Sequence, residues 1–186
     1  MTLYIKNMVC SRCILVVRHH LEQLGFRVDD IKLGSANISP APGAQAIAAI
    51  SSVFEPLGFE LLNDRKEKLV QEIKSLVIEK VRALKPDDAT VFSEYLATNL
   101  GREYSYLSRL FSEAEGTTIE KFIILHKVER VKELLEYGEL NINEIAYQMG
   151  YSSGAHLSAQ FKNVTGITPR QYKTSGEWGR VAIDTI

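Results

Sequence analysis

The sequence predicts two domains of different class: an α+β domain of order βαββαβ, followed by an all-α domain built from two helix-turn-helix units. Three observations carry this expectation. Residues 141–172 read as two short helices joined by a tight turn. The same pattern occurs earlier in the chain, at residues 97–116. Residues 1–63 alternate short apolar strands with two amphipathic helices.

In chain order, Leu3 and Ile5 share one face of a short strand that includes Tyr4 and Lys6. A helix follows Cys13 and runs to about Leu24, with Val17, Leu21 and Leu24 inward and Gly25 as terminator. Val28 to Leu33 is a second strand, which Gly34-Ser35 turns into a stub at Ala36 to Ile38. Pro40 and Pro42 punctuate a loop. Ala44 to Leu57 is a second helix with Ile47, Ile50, Phe54 and Leu57 on one face, and residues 59–62 close as a strand. This order is the ferredoxin-like arrangement.

Cys10 and Cys13 stand between the first strand and the first helix. Three readings are open. They form a two-thiolate site for a soft metal, with the helix N-terminus and Arg12 lowering the thiol pKa. They form a redox switch that closes as a disulfide, or they are a relic in which Cys13 packs in the core. His19 and His20 lie further along the same helix, where a Cys/His cage would need them, although their spacing matches no standard zinc site. With Met8 ahead of the pair and Leu57-Gly58-Phe59-Glu60 near the end, residues 1–63 resemble a heavy-metal-associated domain. That resemblance implies a soft metal ion at Cys10 and Cys13, Cu(I) first and zinc or another thiophilic ion as alternatives. The family's usual glycine before the methionine is Asn7 here.

Residues 64–84 form a charged amphipathic connecting helix, with Leu69, Ile73, Leu76 and Lys80 on one stripe and Val70, Val77 and Val81 beside it. Lys85-Pro86-Asp87-Asp88 breaks it. In the later motif, Ile142, Ile145, Ala146 and Met149 share a helical face, Asn141 and Glu144 make a capping box, and Gly150 ends the helix. Leu157, Phe161 and Val164 form the buried stripe of the next helix, which Gly166 stops, and Thr168-Pro169 starts one more turn. Ala97, Gly101, Leu107, Ser108, Phe111 and Gly116 anticipate Ala146, Gly150, Leu157, Ser158, Phe161 and Gly166. The offset is 49 residues before the turn (97 to 146) and 50 after it (107 to 157). Thr117 to about Tyr137 is the helix between the motifs, opened by a capping box at Thr117 and Glu120 and closed by Gly138. Residues 176–186 are an unassigned tail in which Trp178 can dock on the body or on a partner.

The motif residues Tyr106-Leu107-Ser108-Arg109-Leu110-Phe111, Ile145-Ala146, Gly150-Tyr151-Ser152, Phe161-Lys162, Gly166-Ile167-Thr168-Pro169 and Tyr172 resemble the DNA-binding domain of AraC/XylS-type bacterial transcription regulators. The resemblance covers about residues 70–175. It implies a seven-helix domain whose two motifs enter successive major grooves of promoter DNA. It also places Ser105, Ser108 and Arg109 at base- or backbone-facing positions. Arg109 is the foremost candidate, since arginine bonds guanine O6 and N7 together; its plain alternative is an i,i+4 pair with Glu113. Tyr106 projects beside them. In the second motif the corresponding positions are Gly154, Ala155, Ser158 and Ala159, with His156 and Gln160 nearby, a small and weakly polar face suited to shape or thymine methyls. Ser152 and Lys162 suit phosphate contacts. His126, on the linker helix, is read as structural.

Composition bounds the alternatives. The 186 residues are 45% hydrophobic and carry a net charge of −1. Residues 85–175 hold ten Lys/Arg against twelve Asp/Glu, so DNA affinity rests on local charge and on backbone amides at helix N-termini. No apolar run approaches the roughly 20 residues that span a bilayer, and no signal peptide is evident. The expectation is a cytoplasmic, non-membrane regulator with domains at 1–63, 64–84 and 85–175. Its partners are double-stranded DNA, a second copy of the chain and RNA polymerase. Two other readings of the N-terminal domain stand beside metal sensing: a redox switch, and a ligand-free dimerisation or interaction module. An enzyme is the weakest reading, since no nucleotide loop, acid pair or triad is visible.

Overall fold

The computed structural model describes residues 1–85 and 91–175. The Pro86-Asp87-Asp88 breaker and the tail with Trp178 lie outside the described residues. The chain divides into two compact units, Met1–Leu76 and a second from Val77 onward.

The first unit is a four-stranded sheet with helices. Its elements are β1 (Thr2–Lys6), α1 (Ser11–Gln23), β2 (Arg27–Lys32), β3 (Ser35–Ser39), α2 (Ala44–Phe54) and β4 (Glu60–Leu62). The strand order is β2-β3-β1-β4, and every neighbouring pair is antiparallel. Alternation along β1 sends Leu3 and Ile5 into the core with Val17 and Leu21 of α1, Ile38 of β3, and Ile50 and Phe54 of α2. Leu57 does not join that face. Pro56 tightens the end of α2 into a 3-10 turn, Glu55–Leu57, which rotates Leu57 outward to 43% exposure.

Helix α3 (Arg65–Ala83) begins in the first unit. Lys68 lies over the ring of Tyr4, 5.4 Å from its centroid. A Cβ on Gly34, at φ +75, would stand 2.5 Å from Ser75 Oγ and 3.0 Å from Gln71. Glycine is therefore required at the β2–β3 turn by both backbone and space. These contacts carry the first unit to Leu76, past residue 63, where the sequence suggested a boundary. The buried stripe of α3 is also broader than expected: Val70, Ile73, Val77, Ile78 and Val81 are buried, whereas Leu69 and Leu76 are half-buried.

The second unit takes the end of α3 and adds α4 (Phe92–Leu100), α5 (Tyr104–Glu115), α6 (Ile119–Tyr137), α7 (Ile142–Gln148), α8 (Gly154–Thr165) and α9 (Pro169–Ser175). Helix α6 is its spine, burying ten residues. Phe122 meets Phe111 of α5 at 5.4 Å, and Tyr172 of α9 packs on Phe161 of α8 at 5.6 Å and donates to Glu136 Oε1. Glu129 and Lys132 pair at 2.5 Å in its buried face. His126 is buried with its ring 4.3 Å from that of Phe122, a packing role. Two expectations are corrected. Val164 is 37% exposed, because the last turn of α8 runs beyond the core that Leu157 and Phe161 enter. Thr118, not Thr117, caps α6 and accepts from Lys121 N, so Glu120 is not the capping-box partner and turns to α5 instead.

Candidate nucleic-acid interface

The two motifs superimpose in their logic. Leu96, Leu107 and Phe111 are buried in the first; Ile145, Ala146, Leu157 and Phe161 are buried in the second. Gly101 (φ 59) and Gly150 (φ 69) turn the chain in the left-handed region. The next amide closes each turn in the same way, Arg102 N donating to Ala97 O and Tyr151 N to Ala146 O. The residue inserted in the second turn lies between Gly150 and α8. There it supplies a capping serine, Ser153 Oγ, which accepts from His156 N. The capping box of Asn141 and Glu144 forms as read. A reciprocal one opens α9, between Thr168 and Gln171.

The outer face of α5 presents Ser105, Tyr106 and Arg109 exposed, with Ser108 half-buried. Among the described residues Arg109 makes no ion pair with Glu113, and it is exposed. The outer face of α8 presents Ala155, His156, Ala159 and Lys162 exposed, with Ser158 and Gln160 half-buried and Ser152 exposed in the turn. Gly154 departs from the expected contact surface. It is buried against α7, where a Cβ would come within 2.3 Å of Asn143 Oδ1, so its role is close helix packing. Ser158 donates its hydroxyl back to Gly154 O at 2.7 Å, which engages the proton a base contact would use.

Three residues with no role assigned from sequence hold these helices in place. Tyr104, at the start of α5, donates to Glu120 Oε1 on α6. That bond is the main reason the Glu120 carboxyl lies below its ordinary pKa, while burial and then the same carboxylate push the Tyr104 phenol up. Lys127 of α6 donates to Met149 O at 2.9 Å, completing the C-terminus of α7, and lies 5.2 Å from the ring of Tyr151. Burial and then Lys80 hold the Lys127 ammonium below the usual lysine range, and burial pushes the Tyr151 phenol up to about 12. These bonds tie α5 and the turn ahead of α8 to α6. Sequence offers little signal for such links, because the partners stand 16 and 22 residues apart. Tyr104→Phe is expected to cost about 1 kcal/mol, the net worth of an ordinary hydrogen bond, because solvent exposure offsets the extra strength of a charged acceptor. The Glu120 pKa is depressed in the fold, so its contribution is present above the ordinary glutamate pKa and fades as pH falls below it. Denaturant unfolding of both proteins at neutral and acid pH checks this: the difference should shrink on acidification, and a constant difference would contradict it.

In the first unit, Cys10 stands at the N-cap position of α1 and its Sγ lies 3.4 Å from that of Cys13; the two are not joined as a disulfide, and both are half-buried. Tetrahedral ligands at about 2.3 Å from one ion stand about 3.8 Å apart, so a small opening would seat a soft ion. Met8 is buried, and Asn7 (φ 68) donates its side-chain amide to Gly58 O at 2.8 Å, which fixes the entry of the loop. Burial pushes the Cys13 thiol up, against the lowering expected from the helix N-terminus. Among the described residues no three His, Cys, Asp or Glu side chains converge as a metal cage, so His19 and His20 do not complete one. No helix among them is long and apolar enough to cross a membrane.

Two helix-turn-helix motifs on a shared spine define the class, that of DNA-binding domains of transcription regulators. The comparisons agree. Residues 96–175 match a family model described as a helix-turn-helix domain. An uncharacterized HTH-type transcriptional regulator of Staphylococcus aureus is 36% identical over 78 residues, 42% of this chain and 10% of that protein. The Msm operon regulatory protein of Streptococcus mutans is 26% identical over 128 residues, 68% of this chain and 44% of that protein. Among solved structures, the C-terminal domain of AraT, a response regulator from Geobacillus stearothermophilus, aligns with TM-score 0.51 and 26% identity, covering 64% of this chain and 92% of that one. The second unit is a helix-turn-helix domain similar to those of these regulators. The chain spans from a tenth to under half of the length of these curated relatives.

Proposed function

We propose that the chain is a sequence-specific transcription regulator in which α5 and α8 enter successive major grooves of promoter DNA. The single observation that carries this is the anchoring of both recognition helices to α6, with their outer faces exposed. At 1.5 Å per residue the 19 residues of α6 span about 28 Å, close to the roughly 34 Å between neighbouring major-groove faces. Residues 85–175 are the DNA-binding domain in this reading, and Ser105, Arg109, His156 and Lys162 its foremost contacts. It acts in the cytoplasm, with a second copy of the chain and RNA polymerase as protein partners. Fluorescence anisotropy of the chain's own promoter DNA tests it: saturable binding that outcompetes random duplex is expected, and equal affinity for both would overturn it.

We further infer that residues 1–63 are a ferredoxin-like, heavy-metal-associated domain, supported by the element order and the β2-β3-β1-β4 antiparallel sheet. Cys10 and Cys13 would hold a soft ion, Cu(I) foremost, as two thiolate ligands and make it the effector. A Cys10→Ser/Cys13→Ser variant should keep its DNA affinity and lose a several-fold response to one equivalent of Cu(I). An unchanged response would sink metal sensing. The 3.4 Å Sγ separation also favours a second reading, a redox switch, because closure to a disulfide needs only a short approach. In that case an oxidant rather than Cu(I) shifts the affinity. No effect of either, with equal dimerisation of the variant, would leave a ligand-free interaction module.

A further inference from the structure

The third residue of each recognition helix occupies the same place, Tyr106 in α5 and His156 in α8. The two are held differently. The Tyr106 side chain is 39% exposed. The His156 ring is fixed on two sides. Ser152 Oγ lies 3.0 Å from its Nδ1, and the Tyr151 ring stands perpendicular to it at 5.3 Å. Tyr151 is itself held by Lys127. The consecutive serines of the turn divide the work. Ser153 takes the His156 backbone amide, and Ser152 takes the imidazole. An exposed side chain at the leading end of a recognition helix has no packing need for such a clamp, so the clamp itself calls for an explanation.

We propose that His156 is the base-reading residue of the second motif, donating from Nε2 to the acceptor edge of a guanine. Ser152 is its positioning residue rather than a phosphate contact. This rests on the DNA-binding reading above. With Nδ1 engaged by Ser152, Nε2 is the nitrogen left to face the groove. The 3.0 Å contact fits either direction of donation; in this proposal the serine hydroxyl donates to Nδ1, which leaves the ring proton on Nε2. Guanine offers two adjacent acceptors in the major groove, N7 and O6. Adenine sets a donor beside its N7, and cytosine shows a donor. Ala155 and Ala159 flank His156 on the exposed face and bring no competing polar group.

The test is selection from a pool of randomised duplexes by the full chain, followed by sequencing of the bound fraction. The wild type should select two elements about one helical turn apart. His156→Ala and Ser152→Ala should each lose about five-fold or more of the preference for one guanine, in the element that Arg109→Ala leaves intact. Ser152→Thr, which keeps the hydroxyl, should restore it, and melting of these surface variants should match the wild type. A purely structural role would instead lower binding to all sequences together. Unchanged base preferences in His156→Ala would overturn the proposal. Loss in His156→Ala but not in Ser152→Ala would overturn the positioning role. A wild type that selects no sequence would overturn the DNA-binding reading itself, a result distinct from the others.

Discussion

Arg109→Ala is expected to abolish most sequence discrimination by the first motif while leaving the fold unchanged. Arg109 is exposed on α5, one residue past the half-buried Ser108, and the Leu107 and Phe111 anchors orient the helix so that its guanidinium faces away from the core. A bidentate arginine–guanine pair contributes about 1–3 kcal/mol of discrimination, roughly 5- to 150-fold in affinity for the cognate site. Removing it should therefore weaken cognate binding by that factor and nonspecific binding far less, by the loss of one charge. Lysine should rescue only part, since it lacks the planar fork. Competition titrations with selected and random duplexes measure both affinities. Parallel weakening of the two would mean that Arg109 contacts phosphate and reads no base.

Phe122→Ala is expected to destabilise the helical unit by about 3–5 kcal/mol, a large share of the 5–15 kcal/mol that holds a domain together. Phe122 is 2% exposed and stands between Phe111 of the first recognition helix and His126 of its own helix. Its removal takes a large apolar volume from the place where α5 meets the spine, and the two rings beside it cannot both close the gap. The melting temperature, followed by far-UV circular dichroism, should fall by about 10 °C or more. DNA affinity below the transition should fall too, because α5 loses its seat. A loss under about 1 kcal/mol would show that the α5–α6 contact is not the hinge of the domain.

Much of this was legible in the residues, where periodicity and caps act locally. The αL glycines, the Asn141–Glu144 box, the Leu107/Phe111 and Leu157/Phe161 anchors and the element order of the first unit all follow from short-range pattern. The misreadings share a cause, which is that packing decided against a local signal. Val164 continues a helical stripe, yet the core ends at Phe161. Leu57 sits on the face of α2 until Pro56 changes the pitch. Thr117 precedes Glu120 by the spacing of a capping box, but Tyr104 claims that carboxylate. The Cys13 thiol lies beside a helix N-terminus, but burial outweighs it. Gly154 looked like an open position on a DNA-facing helix and proves to be the point where α8 presses on α7. The links made by Tyr104 and Lys127 could not be read, because each joins residues far apart in sequence.

In the proposed function, one rigid domain presents two recognition helices to one side of a duplex. Methylation interference at guanine N7 on the selected site tests it most directly, because it reports major-groove contact base by base. Two interfering clusters about ten base pairs apart on one face of the DNA are expected. The cluster read by α5 should be lost in Arg109→Ala, and the one read by α8 should be kept. A single cluster, or two on opposite faces, would contradict it.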